Sequence, residues 1–134
     1  MHEAKKDEKL LDYYVCQNCF SRIMDCECAH FPSGTLIYLD KGIQEHIKIL
    51  RSKGYITTSS CESNNPKVGI QITFSRYNGI EGLEPPDGFR VQPNGTAVEY
   101  LYPNGMTMEE FKVEKQKRLD TLLEWCKSLP EHNE

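Results

Sequence analysis

The order of apolar and polar residues predicts two helices and a series of short strands. The first helix is predicted after Asp40, whose side chain can accept hydrogen bonds from the first free amides of a helix. Gly54 follows at a position where helices often end in the left-handed conformation. The apolar stripe between these residues comprises Ile43, Ile47 and Leu50, with His46 on its flank.

A second apolar stripe predicts a C-terminal helix that ends at about Leu129, just before Pro130. Thr107 and Glu110 have the spacing of a capping box, in which each side chain bonds the other residue's backbone amide. The stripe comprises Phe111, Leu119, Leu122, Cys126 and Leu129, with Leu123 and Trp125 at its margins.

Between the helices the period changes to two, which is typical of strands. Residues 55–60 form one β-type run, and residues 68–74 alternate apolar and polar side chains. Asn94-Gly95 separates two further β-type runs and predicts a hairpin, because both central residues of its tight turn need positive φ. With a short run at 35–39, these elements predict an α+β fold: an antiparallel-rich sheet covered by two helices.

Size and charge restrict the class of protein. The chain has 134 residues and a mass of 15.5 kDa, which indicates one domain with an ordinary hydrophobic core. No apolar run approaches the roughly 18 residues of a membrane span, and the charged N-terminus does not resemble a signal peptide. We therefore expect a cytoplasmic protein without membrane contact.

A dense group of thiols precedes the predicted fold. Five candidate metal ligands occur within fifteen residues: Cys16, Cys19, Cys26, Cys28 and His30. Zn²⁺ takes four such ligands tetrahedrally, and a closed set of four is structural rather than catalytic. We predict structural zinc in residues 1–34, a lead-in and knuckle, followed by an α+β domain over 35–134. The single residue between Cys26 and Cys28 leaves open which four ligands bind, and reduced thiols or two disulfides are the alternative.

A second candidate site lies at the end of the strand predicted over 55–60. Ser60, Cys61 and Glu62 bring a hydroxyl, a thiol and a carboxylate together there, where binding loops are common. A nucleophilic Cys61 would need a base, for which His46 is a candidate. A small buried thiol, or an additional residue near the zinc, is the alternative, and we assign no catalytic residue.

The segment 75–88 is long for a loop and carries three glycines and two prolines. Arg76 and Tyr77, with Ile80 and Leu83, are side chains that a loop can present to a partner protein. The alternative is that these residues fold back onto the sheet.

The region 14–75 resembles a group of small uncharacterised proteins of Firmicutes and their phages. The resemblance lies in the cysteine pairs, in Leu39-Asp40-Lys41-Gly42-Ile43, and in Ser60-Cys61-Glu62 after Gly54-Tyr55. In those proteins a zinc-ribbon-like head precedes a β-α-β unit that ends in a Ser-Cys-Glu-Gly type motif. This chain departs from that pattern at Ser63-Asn64. The resemblance implies a phage or mobile-element origin.

These observations lead to three hypotheses. The first is a non-enzymatic, zinc-stabilised protein that binds a host protein, such as a phage inhibitor of a CRISPR-type defence. The second is a nucleic-acid-binding zinc-ribbon regulator; the net charge of −4 disfavours it, although basic residues gather on both predicted helices. They are Lys48, Arg51 and Lys53, and Lys112, Lys115, Lys117 and Arg118. The third is a small enzyme that uses Cys61.

Overall fold

The protein is an α+β fold in a computed structural model that describes residues 14–16, 36–75, 79–92 and 95–132. The elements are β1 (Tyr14–Cys16), β2 (Leu36–Tyr38), α1 (Gln44–Ser52), β3 (Thr57–Cys61), β4 (Ile70–Phe74), β5 (Arg90–Val91), β6 (Ala97–Tyr100) and α2 (Met108–Ser128). A single 3₁₀ turn, Lys41–Ile43, leads into α1. None of the helices in the described ranges is long and apolar enough to span a membrane.

The strands form two antiparallel sheets. β1 pairs with β2, and the larger sheet has the order β3-β4-β6-β5. Neighbouring strands of the larger sheet are antiparallel throughout, and β5 and β6 form the predicted hairpin. The Gln92 N–H donates to the Ala97 carbonyl, so the connection is longer than the predicted two-residue turn at Asn94-Gly95. The predicted α+β class, with an antiparallel sheet and two helices, is therefore confirmed.

One face of the larger sheet is apolar and the other is polar. Ile72 of β4 and Val98 of β6 are paired and have no exposed surface, so their shared face lies in the core. Gln71 and Glu99, the neighbouring pair, lie on the opposite face and hydrogen-bond each other at 3.2 Å. This alternation is the pattern expected of an antiparallel sheet with one packed face.

The start of α1 differs from the sequence prediction. The Asp40 side chain makes no cap hydrogen bond to this helix; instead Asp40 Oδ2 accepts one from the backbone N–H of Glu62 at 3.1 Å. The 3₁₀ turn is closed by the Ile43 N–H, which donates to the Asp40 carbonyl. The prediction that Asp40 caps the helix is wrong because its carboxylate ties the helix entry to the end of β3.

The prediction of the other helix ends is confirmed. Gly54 follows α1 with φ of +98°. Thr107 and Glu110 form both hydrogen bonds of the capping box at the start of α2. Pro130 follows Leu129, the C-cap residue of α2.

Three contacts hold α2 against α1. In the middle of the interface, His46 is buried and its Nε2 lies 2.8 Å from the Leu119 carbonyl oxygen. At the C-terminal end of α2, Lys53 Nζ donates to the carbonyls of Cys126, Lys127 and Leu129 at 2.6 to 3.0 Å. Just beyond, the Tyr55 hydroxyl donates to the Pro130 carbonyl at 2.7 Å. An ammonium group at this end of a helix also interacts favourably with the helix dipole.

Two strand predictions were too long. β4 begins at Ile70, and the Val68 N–H instead donates to the Asn65 carbonyl within a turn. As a result, the Val68 side chain is 44% exposed. β3 begins at Thr57, because Tyr55 is still involved in ending α1 through a hydrogen bond to Leu50. In both segments the β-type pattern of the sequence extends beyond the residues that pair with a neighbouring strand.

Burial of His46 makes the stability depend on pH. Burial lowers the pKa of His46, and this outweighs the Leu119 hydrogen bond and the nearby carboxylates of Glu45, Asp120 and Glu62. The unfolded chain therefore takes up a proton at about pH 6.5, before the folded protein does, so the free energy of unfolding decreases as the pH falls below that value.

We predict that urea denaturation gives a free energy of unfolding lower at pH 5.5 than at pH 7.5. His46 contributes up to about 1.4 kcal/mol to this difference in the free energy of unfolding. In a His46→Leu variant the difference should be smaller by that amount. His132→Leu, at a half-buried position near the C-terminus, is the matched control. An equal pH dependence in wild type and His46→Leu would contradict this role.

Candidate functional site

Only part of the predicted metal site lies in the described chain. Cys16 is fully buried at the end of β1. The other candidate ligands, Cys19, Cys26, Cys28 and His30, lie outside the described residues, as do Arg76 and Tyr77 of the loop candidate. Within the described ranges, no three His, Cys, Asp or Glu side chains are grouped closely enough to hold a metal ion. The zinc assignment therefore stays a prediction.

The two-stranded sheet brings the ends of the cysteine-rich segment together. Cys16 pairs with Leu36 in the β1–β2 register, so the two residues that flank the segment 17–35 lie side by side. The four other candidate ligands belong to this segment, which lies outside the described residues. Holding the two ends of a segment together removes part of the chain entropy that metal binding within it would otherwise cost.

The Ser60, Cys61 and Glu62 candidates do not converge on one point. Ser60 pairs with Ile72, which faces the core, whereas Cys61 pairs with Gln71 on the opposite face. Successive residues of a strand point to opposite faces, so the hydroxyl and the thiol are separated by the sheet. The sequence proximity of these residues does not produce a catalytic arrangement.

Glu62 joins three parts of the fold. Its backbone N–H donates to Asp40, and its carboxylate lies 3.4 Å from Lys115 Nζ on α2. The same carboxylate lies over Gly42, where an added Cβ would collide with it. The Glu62 side chain is only 15% exposed. Its contacts therefore hold the end of β3 in place, and the carboxylate is not free for a ligand.

Ser63 has an unusual backbone conformation for a side-chain-bearing residue. Its φ is +81°, in the left-handed region, and the residue is fully buried. Its hydroxyl lies within hydrogen-bond distance of the carbonyl oxygens of Asn65 and Val68. These bonds offset a conformation that costs on the order of 1 kcal/mol or more, and they fix the loop 62–69.

Tyr102 lies beside this loop with an unsatisfied hydroxyl. The Tyr102 ring is 8% exposed, and its buried OH has no hydrogen-bond partner of good geometry among the described residues. Burial raises the pKa of Tyr102 to about 12, with Ser63 and Cys61 close enough to affect it. A buried hydroxyl without a hydrogen-bond partner lowers the stability of the folded state.

Next to Tyr102, the turn 103–106 separates two open grooves. The acidic groove is lined by this turn, Glu109, Glu110, Val113 and Glu114, and has a volume of about 600 Å³. The second groove, which we call the apolar groove because the exposed Leu101 lines it and no carboxylate does, has a volume of about 480 Å³. It is lined by residues 101–106 together with Pro66, Lys67 and Gly69. Because the grooves share residues 103–106, they form one continuous surface, which we call the groove surface.

Large apolar side chains are exposed on and around the groove surface. Leu101 is 60% exposed and Val113 is 72% exposed, and one lines each groove. Val68 and Met108, 44% and 50% exposed, lie next to groove-lining residues in the chain. In the described ranges these four are the large hydrophobic residues that are strongly exposed. Single exposed apolar residues are ordinary, whereas large contiguous apolar patches are typical of interaction surfaces.

The loop 75–88 does not supply such a surface in its described part. Ile80 is completely buried and Leu83 is half-buried against the core. The Trp125 indole N–H donates to the Glu84 carbonyl at 2.7 Å, and Arg118 donates to the Asp87 carbonyl. Both contacts hold the loop against α2. Ile80 and Leu83 therefore pack against the core, which agrees with the alternative that the loop folds back onto the protein.

Several basic residues that suggested a nucleic-acid face are engaged within the protein. Arg51 donates to the backbone and the hydroxyl of Thr57, and Lys53 binds the end of α2. Lys115 is paired with Glu62, and Arg118 with Glu114 at 2.6 Å. The clustering of basic residues in the sequence therefore reflects structural contacts in large part.

Two apolar residues of α2 are a signal for the groove surface in the sequence. Met108 and Val113 lie off the apolar stripe of α2. An apolar residue outside the buried stripe of a helix has no core to enter, and here both are exposed. That Leu101 and Val113 line adjoining grooves depends on the tertiary structure.

Comparison of the chain with protein-family models, with curated proteins and with solved structures found no match. The function must therefore be argued from the residues and their geometry.

The Tyr102 hydroxyl gives a direct test of the site. We predict that Tyr102→Phe leaves the free energy of unfolding unchanged or raises it by up to about 1 kcal/mol, because it removes an unpartnered polar atom. Tyr100→Phe is the matched control, since its hydroxyl donates to Glu114 at 2.7 Å and its loss should cost about 1 kcal/mol. Equal destabilisation of the two variants in urea denaturation would show that Tyr102 has a partner.

Proposed function

We propose that this protein is a non-enzymatic protein-binding module that docks a partner protein on the groove surface. The observation that carries this proposal is the grouping of exposed apolar side chains beside two adjoining grooves. Leu101 and Val113 are more than half exposed, and transferring such side chains from water to a partner is favourable. The buried core of a protein–protein interface is more apolar than the rest of the protein surface.

The distribution of basic residues supports a protein partner over a nucleic acid. Phosphate binding needs cations that are available to the ligand, and it produces steep salt dependence. Arg51, Lys53 and Arg118 instead bind groups of the protein itself. The acidic groove presents carboxylates, which repel phosphate.

The geometry around Cys61 gives little support to an enzyme. His46, the candidate base, directs Nε2 to the Leu119 carbonyl and is buried between the helices. Glu62 is engaged with Asp40 and Lys115. A cysteine nucleophile needs a base in hydrogen-bond reach, and no such bond to Cys61 occurs in the described part of the chain.

Structural zinc in the knuckle is part of the same proposal. Cys16 pairs with Leu36 across the ends of the segment 17–35, which carries the remaining candidate ligands. The site would hold the N-terminal segment together without taking part in chemistry. The resemblance to phage-associated proteins extends the proposal to a partner from the host cell, such as a defence protein that this module inhibits.

A capture experiment tests the docking proposal. The tagged protein is incubated with host lysate with and without nuclease, and bound proteins are identified by mass spectrometry. We predict one partner that survives nuclease and is lost with Leu101→Glu and with Val113→Glu, because each puts a charge into an apolar contact. Capture abolished by nuclease would contradict the proposal and favour nucleic acid.

The matched control is Lys48→Gln, which also lowers the net charge by one but lies at an exposed position of α1 away from both grooves. It should retain the partner fully. Circular dichroism of all three variants checks that the fold is intact. Partner loss with Lys48→Gln, or retention with both groove variants, would place the docking site elsewhere.

Zinc is tested separately by metal analysis. We predict about one zinc per chain, lost on Cys16→Ser and Cys19→Ser, with the free energy of unfolding reduced by more than about 2 kcal/mol. Cys61→Ser is the matched control and should retain the metal. Wild-type protein that contains no zinc and is unaffected by a chelator would refute the metal site.

A further inference from the structure

The two grooves differ in charge, and this difference bears on the partner's chemistry. The acidic groove has three carboxylates in its lining, from Glu109, Glu110 and Glu114, and no cationic residue. The apolar groove has Lys67 at its rim and no carboxylate in its lining. A segment that covers both grooves therefore meets negative charge on one side of the 103–106 turn only.

The three carboxylates differ in how far the protein itself uses them. Glu110 accepts a hydrogen bond from the Thr107 N–H in the capping box. Glu114 accepts from the Tyr100 hydroxyl and from Arg118, and these bonds lower its pKa. Glu109 is exposed and has no partner in the described ranges. It is the carboxylate most available to a ligand.

Helix capping explains the acidic residues only in part. Carboxylates in the first turn of a helix are stabilised by its dipole, which accounts for Glu109 and Glu110. It does not account for Val113, one turn later on the same side, which is 72% exposed and lines the same groove. An apolar side chain beside a free carboxylate matches a ligand with an aliphatic stem and a cationic head.

Lysine and arginine side chains have this composition, since their methylene stems cover apolar surface while the charged group stays polar. The stem would lie along Met106 and Val113, and the cation would face Glu109. In the apolar groove, Lys67 disfavours a second cation, so an uncharged apolar side chain fits beside Leu101. Complementary charges of this kind set the specificity and register of a docked segment.

We infer that the groove surface binds a segment of its partner in which an arginine or lysine lies next to a large apolar residue. The cationic side chain occupies the acidic groove and the apolar side chain occupies the apolar groove. This inference rests on the proposed function and adds the chemical class of the partner.

A random peptide library tests this inference without knowledge of the partner. The full-length protein is immobilised and used to select from displayed 12-residue peptides, in parallel with its Leu101→Glu variant. We predict that peptides enriched on the wild type, and not on the variant, contain Arg or Lys beside an apolar residue and are depleted in Asp and Glu.

Affinities of the selected peptides then locate the cation. Glu109→Gln should weaken binding by about two- to fivefold, the effect of losing one exposed charge, and added salt should weaken wild-type binding by a similar factor. Glu124→Gln is the matched control, since it removes an exposed carboxylate of α2 at the other end of the helix. Its affinity should equal that of the wild type.

The alternative outcomes separate this inference from the proposed function. Leu101-dependent peptides without a basic residue, or with equal affinity for Glu109→Gln, would overturn the inference and leave the groove surface as a docking site. Peptides enriched equally on Leu101→Glu, or no enrichment at all, would also overturn it. The capture experiment with lysate decides independently whether the groove surface docks a protein.

Discussion

The ammonium group of Lys53 fixes the C-terminal end of α2 against α1 through hydrogen bonds to three backbone carbonyls. Hydrogen bonds to a charged group contribute more than neutral ones, on the order of 1.5–3 kcal/mol each when partly buried. His46 holds the middle of the helix through the Leu119 carbonyl, and the capping box determines its first turn. Because α2 is held along its length in this way, the position of its N-terminal turn relative to β6 is defined.

The groove surface follows from that placement. The first two turns of α2 lie beside the turn 103–106 and create the acidic groove, and the loop 62–69 closes the apolar groove on the other side. The loop in turn is held by Ser63 in its left-handed conformation and by Tyr102 packed beside it. For the proposed docking, exposed apolar groups whose backbone is held by these contacts would lose less entropy when a partner binds.

Much of the fold was predictable because local rules govern it. The Thr107–Glu110 capping box, Gly54 at the helix end and the hairpin at Asn94-Gly95 each depend on a few neighbouring residues. The role of Asp40 was not predictable, since its partner, the Glu62 N–H, is 22 residues away. Ser60 and Cys61 are neighbours in the sequence but lie on opposite faces of the sheet, because successive side chains of a strand alternate between its faces. The grooves combine residues 66–69, 101–106 and 109–114, which only the tertiary structure brings together.

Site-specific photo-cross-linking in host cells tests the central claim, that a protein partner docks on the groove surface. A benzophenone amino acid replaces Val113 in one variant and Lys48 in another, both at exposed helical positions. We expect a nuclease-resistant covalent adduct with one partner protein from position 113 and none from position 48. An adduct from position 48 without one from position 113, or no adduct from either, would contradict it.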